Sequence, residues 1–344
     1  MRSGEPLTRR RLLAWTLALG TALALSVLMG VAWGTGSLSL VDLLPGGPPL
    51  SEQARAVFLD VRLPRVLAAA VLGGALSVAG VVFQALLRNP LADPYVLGVS
   101  GGASIGGVLA LLLGFGGAAS LLGGLAVPAF AFLGALGALF LIEWVATVGG
   151  KLTVYTVLLT GAIFNAFAAA LIYFIQTIAS LEQLHAIVFY LMGSVPMLGY
   201  RGLGFLAATS VLATLALFSM ARDYNALTVG EEGAAQLGVD VERIKRRTFV
   251  LGSLLTGVAV SIAGLIGFVG LVVPHLLRLL LGPDHRLLLP AAFLGGGAFL
   301  VLADLTARVV VAPGELPVGV VTALVGGPFF LYLLRRRGSR YEFA

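Results

Sequence analysis

Cysteine is absent from the 344 residues, so neither a disulfide framework nor a thiolate metal site is available. Charge is also scarce: Lys, Arg, Asp and Glu make up 11% of the chain and hydrophobic residues 59%, against roughly 25% charge in an average soluble domain. The 22 basic and 16 acidic residues cannot furnish the solvated surface that a soluble chain of this length needs. That excludes a soluble enzyme and a nucleic-acid-binding domain. Histidine occurs only at 185, 275 and 285, too scattered for a metal site, and no H-E-x-x-H is present. Gly149-Gly150-Lys151-Leu152 lacks the upstream glycine and the Ser/Thr of a P-loop, so ATP is not bound that way. Gly98-Val99-Ser100-Gly101-Gly102 lacks the strand-turn-helix setting of a dinucleotide fingerprint. No catalytic residue, cofactor or metal ligand is expected.

Long apolar runs are present in abundance. About 20 helical residues cross a bilayer, and such runs fall near 12–33, 60–87, 96–114, 120–146, 153–178, 202–221, 247–270, 272–281, 287–309 and 317–334. These predict an all-α polytopic membrane protein of about ten spans, a single domain over 1–344. The run 272–281 is too short to cross and is expected as a partial helix after a break at Pro274. Thr8-Arg9-Arg10 superficially resembles an export signal, but the apolar stretch after it is too long, no cleavage site precedes 34–39, and many spans follow. Arg9, Arg10 and Arg11 therefore place the N-terminus in the cytoplasm. Alternating the spans from there, with Arg2 and Arg340 among the cytoplasmic charges, leaves only Arg55, Arg62, Arg65, Arg201 and Arg308 outside, as the positive-inside rule requires. Both termini are then cytoplasmic. Clusters such as Gly101-Gly102 and Gly295-Gly296-Gly297 fit close helix packing.

Three segments are too polar or too broken for ordinary spans. Arg88 to Pro94 forms a cytoplasmic turn whose prolines forbid a continuous helix. The loop 222–247 is long for a compact bundle, and within it Glu231 and Glu232 start a short helix that Gly238 can end, with a second short helix possible from Asp240. Its two readings are a docking platform and a solvated linker. Phe268 to His275 is Gly/Pro-broken within a span, which lipid tolerates only where protein or a cavity covers the backbone. Asp304 and Arg308 share one helical face, as a structural ion pair or as a ligand or partner site. Gln84, Thr160, Asn165 and Gln176 either line a path or hydrogen-bond between helices. No unpaired mid-membrane carboxylate is evident, which disfavours an ion-coupled secondary transporter. No cluster of His with Asp, Glu or Ser supports an intramembrane enzyme.

Arg62-Leu63-Pro64-Arg65, RNPLADPYVLGVSGGA from Arg88, LTVGEEGAAQLGV from Leu227, GFVGLVVPHLLRLLLGPDHR from Gly267, ADLTAR from Ala303 and ELPVGVVTALVGGPFFLYLL from Glu315 together resemble the FecCD family. These are the permease subunits of type II ABC importers for iron-siderophores, haem and cobalamin. Tyr190 stands where the family often has Trp, and Leu265 at a common Pro position. The resemblance implies a ten-helix subunit working as a homodimer, or with a related permease. Two separate ATP-binding subunits and a periplasmic binding protein would complete the importer, in the bacterial inner membrane. It implies that the loop couples to the ATPase through Gly230, Glu231, Glu232, Gly233, Ala234, Leu237 and Gly238. Arg62, Arg65 and Arg308 would receive acidic residues of the binding protein, and Asn89, Leu91 and Thr153 would belong to a cytoplasmic gate.

Overall fold

The computed structural model describes residues 8–33, 52–115 and 125–337. Arg2, Arg340, the loop 34–39 and the start of the expected 120–146 span lie outside the described residues. Thr8 accepts the Arg11 amide and so caps α1 (Arg9–Ala32). Next, α2 (Glu52–Ala56) runs through a π-helical turn, Val57–Arg62, into α3 (Leu63–Leu86). Pro64 has no amide hydrogen to give to Asp60, and the wider turn, with Leu63 N–H reaching Phe58 O, carries the helix past it. A 3₁₀ turn, Pro94–Leu97, leads to α4 (Val99–Leu112), followed by α5 (Ala126–Ala146). The hairpin β1 (Thr147–Val148) and β2 (Lys151–Leu152) joins α5 to α6 (Val154–Ile178), its Gly149-Gly150 turn at positive φ in both residues.

Then come α7 (Leu181–Met192), α8 (Tyr200–Ser219), α9 (Ala221–Leu227), α10 (Glu231–Gln236), α11 (Val241–Ala263), α12 (Val269–Leu281), α13 (His285–Val309) and α14 (Val318–Arg337). Among the described residues seven helices are long and apolar enough to cross a membrane, and the other three expected spans coincide with the shorter apolar helices α4, α12 and α14. The remaining short apolar helix, α7, was not expected. At 12 residues it is below crossing length, and a Ser180–Gln183 capping box starts it.

The central helix is α3, buried over 89% of its most apolar window, whereas α1 is buried over only 6% of its own. Helices α13, α12 and α11 surround α3. Lipid gives little hydrophobic drive to helix pairing, so backbones must meet closely. A Cβ on Gly73 would strike the Gly296 carbonyl of α13, and one on Gly80 would strike the Gly270 carbonyl of α12.

The expected break at Pro274 is not there. The chain instead opens at 264–268, between α11 and α12, and α12 continues through Pro274. Gly264 (φ 69°) and Phe268 (φ 67°) turn the backbone, and the Tyr95 hydroxyl accepts from Ile266 N (3.0 Å) and donates to Ile266 O (2.8 Å). Pro274 leaves the Gly270 carbonyl without its helical donor, and the Gln84 amide reaches that oxygen at 3.5 Å. Protein groups thus satisfy the irregular backbone, as membrane depth demands.

Candidate functional site

Three arrangements lie where the span ends gather. At one end of the bundle, Gly230 (φ 104°) and Gly238 (φ 85°) bracket α10, and Glu231 and Glu232 occupy its first turn, where the helix dipole favours negative charge. Ala234 is fully buried and anchors α10, whereas Leu237 and Val229 are 68% and 70% exposed. Gly233 is half-buried. A second short helix at Asp240 does not form: Asp240 accepts the Arg243 amide at 3.1 Å and caps α11, which runs on as the span. The reason is continuity, since 241–263 contains no proline to interrupt the helix.

Lys245 joins this segment to its neighbours, a role that sequence reasoning missed. Its buried ammonium meets Glu231 of α10 at 3.1 Å and Glu242 of α11 at 2.6 Å. Glu242 in turn accepts the Leu152 amide of the β hairpin at 2.9 Å. Arg246 pairs with Glu143 at the end of α5. A run of polar contacts therefore leads from α10, across α11, to the hairpin that ends at Thr153. Only the i,i+3 spacing of Glu242 and Lys245 was visible in the sequence.

Thr153 is exposed at the start of α6, its amide bonded to Ala146 O at 3.1 Å. Asn89 is exposed too, and its Oδ1 accepts the Leu91 amide at 2.9 Å, a local turn that holds the half-buried Leu91. Arg88, at φ 46°, precedes it and extends toward Gly230, near enough that a Cβ there would lie 3.7 Å from its Nη1. The turn and the loop are thus neighbours. Of the four polar candidates for a path, Gln84 is buried and accepts from Arg278 at 3.1 Å, and Asn165 donates to Tyr95 O at 2.8 Å, so both serve as ties between helices. Thr160 and Gln176 are half-buried. Nearby, Asn225 donates to Asp284 and accepts from His285, and the Arg286 guanidinium holds the Asp284 carboxyl down at about 2.

At the opposite end, Arg62, Arg65 and Arg308 converge but are 5%, 7% and 4% exposed. Asp304 accepts from Arg308 Nε at 2.9 Å and from Arg65 Nε at 3.1 Å, so the expected Asp304–Arg308 pair exists and Arg65 completes it. Arg308 also donates to the Gly30 carbonyl at 2.9 Å, and Arg62 to that of Val31 at 3.5 Å, tying in the end of α1. Glu315, whose side chain is 42% exposed, holds Arg65 Nη1 at 2.8 Å. The surface of this cluster is therefore acidic at Glu315, with the arginines beneath it. Among the described residues no group of His, Asp and Glu is placed to hold a metal ion.

The model of the FecCD transport family matches residues 21–336. The chain is 41% identical over 311 residues to the cobalamin import system permease protein BtuC of Halobacterium salinarum, covering 90% of this chain and 81% of that one. It is 40% identical over 328 residues to the hemin transport system permease protein HmuU of Yersinia pestis, covering 94% and 97%. A solved structure described as an inward-facing conformation of a metal-chelate type ABC transporter superposes with a TM-score of 0.81 at 32% identity, over 94% of this chain and 99% of that one.

Proposed function

The chain belongs to the FecCD transport family as a multi-pass permease of the metal-chelate, haem or cobalamin type of ABC importer, and from that premise we propose how the subunit works. Two copies pair around a central path in the inner membrane with their termini in the cytoplasm. Two ATPase subunits dock below, and a periplasmic binding protein delivers a bulky chelate above. The cargo is gripped mainly by the binding protein, since a path wide enough for a rigid chelate offers few convergent contacts. Asp304, the carboxylate within α13, is held by two arginines, which leaves it unsuited to the unpaired proton-carrying role of an ion-coupled transporter.

The observation that carries the coupling mechanism is Lys245, buried between Glu231 and Glu242. The exposed Leu237 and Val229, with Gly230, Glu232, Gly233 and Gly238 shaping the segment, present α10 to a cleft on the ATPase. Rotation of α10 moves Glu231, and the Lys245 to Glu242 to Leu152 contacts pass that movement to Thr153 and α6, while Arg88 passes it to Asn89 and Leu91. On the outer side, an acidic residue of the binding protein takes the place of Glu315 on Arg65, and Arg62 and Arg308 supply further positive potential from beneath.

The test is uptake by liposomes containing the permease, its ATPase and its binding protein. Leu237→Asp is expected to abolish ATPase association while the permease stays folded. Lys245→Met is expected to keep association and ATP hydrolysis but lower uptake per ATP several-fold. Wild-type uptake by both variants would overturn the coupling role.

A further inference from the structure

A cavity of about 480 Å³ opens on the cytoplasmic side where the start of α1, the end of α8, the start of α9 and the start of α13 meet. Its lining includes Arg9, Arg222 and Arg286 from three different elements, with Leu12, Phe218 and Ser219. Three of the elements that enclose it are membrane spans at their terminal turns, which sets the cavity at the depth of lipid headgroups. Among the described residues no acidic side chain lines it. Asp284 engages Arg286 at 2.6 Å and Asn225 at 2.8 Å, so that pair is neutral, and Asp223 follows Arg222 along α9. Arg9 and Arg222 are exposed and bring two positive charges to the rim of an apolar floor made by Leu12 and Phe218.

We propose that this cavity binds the headgroup of an acidic phospholipid of the cytoplasmic leaflet, with phosphate on Arg9 and Arg222 and the glycerol and upper acyl carbons against Leu12 and Phe218. The two exposed guanidiniums match the two phosphates of a diphosphatidylglycerol headgroup, and a basic pocket between spans is the form such sites take. A zwitterionic headgroup fits poorly, because among the described residues no carboxylate lines the cavity to receive its ammonium. The location gives the lipid a task. The α1 helix is peripheral and rests chiefly on α13, while α9 leads directly into the coupling segment. A headgroup held between Arg9 and Arg222 bridges the two and fixes α9 against the bundle. This goes beyond the permease reading: the lipid's task and its leaflet rest on that reading, whereas the binding itself needs neither ATPase nor cargo.

Native mass spectrometry of the delipidated permease in detergent, titrated separately with diphosphatidylglycerol, phosphatidylglycerol and phosphatidylcholine, tests the site. Wild type is expected to retain the acidic lipids preferentially. The Arg9→Gln, Arg222→Gln double variant should bind diphosphatidylglycerol on the order of 30-fold more weakly, from two arginines at the headgroup surface. Both arginines are exposed, so the variant should remain folded. An Arg243→Gln, Arg247→Gln control, which removes two exposed cytoplasmic arginines elsewhere, should bind like wild type. Equal loss in the two double variants would show general surface charge and overturn the site. Displacement of the lipid by millimolar inorganic phosphate would also overturn it, as the signature of a free-anion site.

Discussion

Replacing Asp304 by Asn keeps the shape of the outer cluster and removes its central charge. Asp304 is 1% exposed and lies against the guanidiniums of two buried arginines, Arg65 and Arg308. The neutral amide would leave Arg65 and Arg308 buried together with Glu315, at the rim, as their remaining acid. Removing one member of a buried ion pair costs about 3–5 kcal/mol, mostly because the surviving charge is uncompensated. The lower bound, about 3 kcal/mol, is a loss of roughly 150-fold in the folding equilibrium. Glu315→Gln touches the same Arg65 but at a side chain 42% exposed, where solvent screens the pair and the expected cost is about 0–1 kcal/mol. Both variants remove a negative charge from Arg65, one buried and shared with Arg308 and the other at the rim, so the difference between them reports what the buried carboxylate adds. A denaturant titration in detergent followed by tryptophan fluorescence is a suitable assay, since the Trp33 carbonyl lies 3.4 Å from Arg308 Nη1 and Trp33 reports on this end of the bundle. A third variant, Asp304→Asn with Arg308→Met, should lose less than the sum of the two single changes, because the methionine removes a charge that the first change stranded. An Asp304→Asn variant within about 1 kcal/mol of wild type, or one indistinguishable from Glu315→Gln, would refute the claim that this pairing holds α1, α3 and α13 together.

Asp284 supplies a pH test: its folded pKa of about 2 lies below the ordinary carboxylate value, so its contribution is present above about pH 4 and lost as pH falls toward 2. Asp284→Asn should lower stability above about pH 4 and converge on wild type as pH falls toward 2, flattening that acid limb in a stability-against-pH series, and an unchanged limb would count against it. A cysteine at Asn89, in a chain otherwise free of cysteine, should crosslink to its symmetry mate in at least one nucleotide state of the assembled importer, and absence in every state would argue against the gate on the dimer axis. For the outer surface, Arg62→Gln with Arg65→Gln should slow association of the binding protein, and the wild-type rate should fall with added salt. Equal rates for a variant shown to be folded would remove the arginines from docking.

Much of the architecture was legible along the chain because membrane spans are a local property. A run of about 20 apolar residues reads as a crossing wherever it lies, and charged residues such as Arg9, Arg10 and Arg11 mark where it begins. The Asp304–Arg308 pair was legible for the same reason, since residues four apart share a helix face. Tertiary structure decided what those faces meet. Arg65 reaches Asp304 across 239 positions, and Tyr95 steadies Ile266 across 171. No periodicity encodes either contact. Pro274 looked like the break because proline ends isolated helices, yet a buried Gln84 takes up the carbonyl it frees, and the chain opens instead where Gly264 and Phe268 reach positive φ. The charge count set Arg62, Arg65 and Arg308 apart from the basic loops, but a charge count carries no depth. Only the packing of α1, α3 and α13 shows that all three are buried, because burial depends on which neighbour covers a side chain and not on the residues beside it in sequence.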